Sequence, residues 1–148
     1  MTSNIQEIAG AYEAATKEFL HIASTVPEDK MDLNDGENWS SRQVIHHCAD
    51  SEAQSYARLR RLVAEPNPVI QGYDENLWAK DATLGYTDLP VENSIAVFVA
   101  VRAASLDIIR RLKPEQLELK AHILKQGSIH SSAGSRPIPV MPMITQIK

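Results

Sequence analysis

The chain has 148 residues, the length of one domain, and its 43% hydrophobic and 23% charged residues are the balance of a globular chain and not a disordered one. A net charge of −4 argues against a nucleic-acid partner, which wants a basic face, and a single cysteine, Cys48, excludes an internal disulfide and a cysteine-only metal cage. The opening MTSNIQEIAGAYEAATKE has no signal-like region and no apolar run approaches membrane-spanning length, so a cytoplasmic location without a membrane partner is expected.

Ile5, Ile8, Tyr12, Ala15, Phe19 and Ile22 recur at steps of three and four and predict the first helix. Ser3 and Gln6 have capping-box spacing at its start. Pro27 ends it, and Glu28 to Asn38 reads as a polar connection with Asn34-Asp35-Gly36 as a turn. A second helix starts behind Ser40, with Gln43 three residues on. Val44, Cys48, Ser55, Leu59 and Leu62 follow its period, and Ile45 and Val63 widen the stripe. It stops before Pro66 and Pro68. PNPVIQGYDENLWAK is a long connection with a helical turn from Asn76 to Lys80.

A third long helix opens near Pro90. One stripe runs through Ile95, Phe98, Arg102, Leu106, Ile109 and Leu112, and a second through Val97, Val101 and Ile108, so this helix is expected to be largely buried. Pro114 ends it and restarts a short turn. Three such helices want a fourth partner. Residues 121–148 carry Gly127, Gly134, Pro137, Pro139 and Pro142, which forbid a long helix, and the segment reads as coil. Composition breaks at the same place. Residues 1–120 hold twelve basic and nineteen acidic side chains, whereas residues 121–148 hold three basic and no acidic ones.

Five histidines, His21, His46, His47, His122 and His130, are the candidates for chemistry. Cys48 sits on an apolar stripe and reads as core. His47 lies at the edge of the stripe with Asp50 at i+3 and Ser51 at i+4 on its face. A carboxylate at Asp50 could hold the second ring nitrogen, as metal-bound imidazoles require, although a hydrogen-bonded boundary histidine fits the same pattern. His46 is about 100° further round the helix and is expected to face solvent or cap a loop. His21 is a surface or boundary residue, and His130 a solvated loop residue.

Trp39-Ser40, Gln43-Val44-Ile45 and His46-His47-Cys48-Ala49-Asp50-Ser51-Glu52 together resemble the signature of the DinB/YfiT-like superfamily. Pro68-Val69-Ile70, Gly72-Tyr73-Asp74-Glu75, Leu77-Trp78-Ala79 and Leu89-Pro90-Val91-Glu92 continue the resemblance. It covers about residues 1–127, as a helical-bundle domain, and leaves 128–148 as a divergent, irregular tail. The resemblance implies an all-α, DinB/YfiT-like four-helix bundle, here with the fourth helix missing or degraded. It implies a divalent metal, zinc or nickel, held by three histidines, and a hydrolase or a thiol S-transferase working with a low-molecular-weight thiol. It places the first metal ligand at His47, with Asp50 as the carboxylate behind it. The other two ligands would form an H-x-x-x-H pair on the fourth helix, and this chain has no such pair. A three-imidazole metal lowers the pKa of a bound water or thiol; with two ligands absent the enzyme is expected to be impaired. The alternative is a metal-free bundle that binds a partner or forms a homodimer through the uncovered side of the third long helix. Shifting the frame by two bases lets the codons of Val140–Thr145 spell His-Ala-His-Asp-His, so a frameshift is one origin of the tail.

Overall fold

In a computed structural model, residues 2–124 and 137–139 are described. Three long helices and one short one account for most of them: α1 (Thr2–Thr25), α2 (Ser41–Ala64), α3 (Glu75–Lys80) and α4 (Glu92–Arg111). Single 3-10 turns lie at Glu28–Lys30, Ala82–Leu84 and Pro114–Glu118. α1 begins at Thr2, so Ser3 lies inside its first turn and not ahead of it.

α2 starts where the sequence places it. The Ser40 side chain accepts from the Gln43 backbone N–H, and the Gln43 side chain accepts from the Ser40 N–H. It ends at Ala64, and Asn67, ahead of Pro68, leaves the right-handed helical region for φ +50°. α3 is capped by Asp74, whose carboxylate accepts from the N–H groups of Asn76 and Leu77. In the connection before α2, Asp35 Oδ1 accepts from the Glu37 and Asn38 N–H groups, and Gly36 takes φ +85°, which suits a residue without a Cβ.

Two apolar clusters divide the core. One joins Ile5, Ile8, Ala9 and Tyr12 of α1 to Leu59 and Leu62 of α2 and Ile109 of α4. The other joins Ala23, Met31, Ile45 and Val91. The N-terminal part of α1 thus meets the C-terminal parts of α2 and α4, so α1 runs opposite to both.

The face that α2 buries differs from its expected stripe in the N-terminal half. Ile45, Ala49 and Glu52 point inward, Val44 is exposed and Cys48 is half-buried. In α1 the inward position near the end is Ala23, while Ile22 is exposed. Both shifts come from following a run of apolar residues past the point where a 3.6-residue period rotates it off the seam. α4 is not buried all round. Phe98, Arg102, Ser105 and Ile109 face α1 and α2, whereas Val97 and Val99 are exposed and Val101 and Ile108 half-buried. An apolar face is buried only where another element covers it, and two helices cover one side of α4.

The coil reading of residues 121–148 is corrected where the tail is described. Three short strands form a sheet in the order β1 (Val69–Gln71), β2 (Lys120–Leu124), β3 (Pro137–Pro139). β1 pairs parallel with β2, Val69 opposite His122, and β3 pairs antiparallel, Lys120 opposite Pro139. Prolines at both ends of β3 suit an edge strand, because a ring nitrogen has no proton to give a further neighbour. Ile70 and Ala121 bury themselves in the first cluster, so the sheet closes that end of the bundle. Residues 125–136 and 140–148, with His130 and the frame-shifted segment, lie outside the described residues.

Candidate metal centre

His47 stands in the second turn of α2, held at a fixed rotation by the capping box behind it. Its ring packs edge-on against Trp39, centroids 5.0 Å apart. Nε2 lies 3.6 Å from Glu75 Oε2, the first residue of α3. Nδ1 is buried and has no hydrogen-bond partner among the described residues. Sequence reasoning missed Glu75. It lies just ahead of the predicted turn from Asn76 to Lys80, and its approach to His47 depends on how the long connection folds back over α2.

Asp50 Oδ2 accepts the Tyr86 hydroxyl proton at 2.5 Å, and among the described residues no hydrogen bond links Asp50 to the His47 ring. Residues at i and i+3 share a helix face, and the Asp50 carboxylate meets Tyr86 from the loop ahead of α4. Burial, followed by the hydrogen bond to Asp50, raises the pKa of the Tyr86 hydroxyl well above that of an ordinary phenol, so it stays a donor.

The solvent-facing expectation for His46 is also corrected. It is 5% exposed, with Nδ1 2.8 Å from Ser94 Oγ and Nε2 3.1 Å from the Leu89 carbonyl oxygen. It does hold the loop ahead of α4. With Asp50, Tyr86, Leu89 and Ser94 it lines a cleft of about 180 Å³. Gly85 turns this loop at φ +63°, and a Cβ there would fall 2.3 Å from Leu89 Cγ. His21 is exposed, as expected. Burial pushes the Cys48 thiol up to about 11, so it is protonated at neutral pH and no nucleophile.

A second group of polar residues lies between α1, α2 and α4. Glu52 and Arg102 are 1% and 2% exposed, and their side chains meet at 3.2 Å. Tyr12 donates to Glu52 Oε2 at 3.1 Å, and Arg102 donates to the Tyr12 carbonyl and to Thr16 Oγ1, each at 2.7 Å. The guanidinium carbon sits 3.4 Å from the Tyr12 ring centre. Burial lifts the Glu52 carboxyl above the ordinary range while Arg102 pulls it back, and burial foremost moves Tyr12 to about 12. Each Arg102 nitrogen and the Tyr12 hydroxyl has a partner within the bundle, so this group holds the helices together.

Among the described residues no three His, Cys, Asp or Glu side chains converge as a metal site needs. His122 pairs with Val69 through the β2 backbone. His47 and Glu75 are two donors where a catalytic zinc takes three from the protein, so the described residues do not complete the metal centre that the resemblance implies.

A family model for the DinB superfamily matches residues 11–129, and the chain belongs to that superfamily. A protein of Oceanobacillus iheyensis, provisionally named a metal-dependent hydrolase, is 40% identical over 91 residues, which are 62% of this chain and 51% of that protein. One from Halalkalibacterium halodurans with the same kind of name is 32% identical over 113 residues, 74% of this chain and 63% of its own. The match thus spans about half to under two thirds of these relatives. The structure of YfiT from Bacillus subtilis, described as a probable metal-dependent hydrolase with an unusual four-helix bundle topology, superposes with a TM-score of 0.72. It is 21% identical, over 97% of this chain and 75% of that one, and it shows the fold. No helix of the described residues is long and apolar enough to cross a membrane.

Proposed function

We propose that this chain is a DinB-type, metal-dependent enzyme scaffold of the hydrolase or thiol S-transferase kind whose metal centre is incomplete, so that it is catalytically impaired as it stands. The observation that carries the reading is the His47–Glu75 pair. One imidazole and one carboxylate lie 3.6 Å apart at the rim of α2, with no third donor among the described residues. The names of the relatives support a metal, and the chemistry of two donors argues for weak retention of it. No reaction step is assigned to a metal on so few ligands.

Metal content is the test. Protein incubated with zinc or nickel and passed through gel filtration is expected to retain well under one equivalent, and His47→Ala less still. Retention of a full equivalent that His47→Ala abolishes would overturn the impaired site.

Val97, exposed by 43% on a flank of α4, favours a second reading, a metal-free bundle that dimerises through that side of α4. A sizing column is then expected to show a dimer that Val97→Glu splits; a monomer at micromolar concentration removes this reading.

A further inference from the structure

Two buried side-chain polar atoms have no hydrogen-bond partner among the described residues, His47 Nδ1 and Arg58 Nε. Both belong to α2. Eleven residues are about three turns, or about 16 Å, so they share a helix face, and Ser51, Gln54 and Arg61 fall on it too. The two ends of this face meet different surroundings. His47 meets Glu75 and Trp39. Arg58 and Arg61 open into a separate cleft of about 420 Å³ between α2 and β1, where Gln54 and Gln71 also line the wall.

Among the described residues Arg58 has no counter-ion. Among the described residues no ion pair reaches Arg58 or Arg61, though Arg42, Arg102 and Arg110 each have a carboxylate. The Arg58 guanidinium has a ring beside it, Tyr73 at 5.9 Å, and Arg61 has one long bond, from Nη1 to the Val69 carbonyl at 3.4 Å. Burial lowers the pKa of Arg58, offset in part by Tyr73 and by no carboxylate among the described residues. A half-buried guanidinium with an idle N–H is unfavourable alone, and its planar fork matches the paired oxygens of a carboxylate or phosphate. The cleft has the volume of a small-molecule site.

We infer that the cleft between α2 and β1 is an oxyanion site, in which Arg58 and Arg61 take the carboxylate or phosphate group of a small molecule and Gln54 and Gln71 add amide hydrogen bonds. This site does not depend on a metal at His47.

Thermal melting at constant ionic strength, with inorganic phosphate in one arm, acetate in a second and chloride as control, tests it. A saturable rise in Tm is expected with phosphate or acetate and not with chloride, and the stronger arm identifies the anion. Arg58→Met, which keeps the aliphatic stem, should weaken the apparent affinity at least tenfold. Arg58→Lys should fall between, and His47→Ala should leave it unchanged. Arg61→Met, at an exposed position, should weaken it severalfold and serves if Arg58→Met does not fold. No saturable shift with either anion, or an equal shift in both methionine variants, would overturn the site.

Discussion

Glu52→Ala is expected to lower the unfolding free energy by about 3–5 kcal/mol in a urea titration. Arg102 is 2% exposed, so removing its carboxylate leaves a buried guanidinium without its counter-charge. The cost is that of a buried charge left with one partner fewer, and it exceeds the net worth of the ion pair itself. Tyr12 loses its acceptor in the same variant. Two controls separate these contributions. Glu52→Gln keeps an oxygen for the hydrogen bonds and should cost less than the alanine variant. Glu52→Ala combined with Arg102→Met removes the stranded charge and should recover part of the loss. A Glu52→Ala variant within about 1 kcal/mol of the parent would mean that Arg102 is solvated or paired elsewhere.

Phe98→Ala should cost a similar amount, about 3–5 kcal/mol, by a different route. The ring is 1% exposed, lies 4.3 Å centre-to-centre from Phe19, and is 5.7 Å from the Arg102 guanidinium carbon. Its removal leaves a cavity between α1 and α4 that rigid helices only partly close. Phe98→Leu fills most of the volume and should cost clearly less. The same titration gives both values, and a loss below about 1 kcal/mol for the alanine variant would show that the seam repacks. Neither Phe98 nor Phe19 lines the Arg58 cleft, so anion binding well below the melting temperature should survive this substitution.

The helices and their boundaries were legible because their signals are local. Ser40 and Gln43, Pro66 and Pro90 each act on backbone groups within one turn, and no distant residue has to be known. His47 was legible as a candidate because the surrounding residues resemble a family signature, and the family model covers the same region. The ion pair of Glu52 and Arg102 left half a signal. Arg102 lies on an apolar stripe, and a charge on a buried face requires a counter-charge, but nothing local names Glu52 as the partner across |i−j| of 50. The three-stranded sheet left less. Strands of three to five residues are too short to show alternation, and a Pro-Ile-Pro segment reads as a breaker until a partner strand stands beside it.

Side-chain allegiance was settled only in three dimensions. Asp50 is equally placed on α2 to serve His47 or a residue from the loop before α4, and the geometry of that loop gives it to Tyr86. His46 and His47 are neighbours in sequence, yet one is locked between Ser94 and Leu89 and the other opens towards Glu75. What this sequence by itself determined is where helices start and stop, because caps, prolines and apolar period act over a few residues. Which charges meet, which histidine is buried and which arginine has no carboxylate among the described residues depend on loops folding across the helices, and only the tertiary structure decided those.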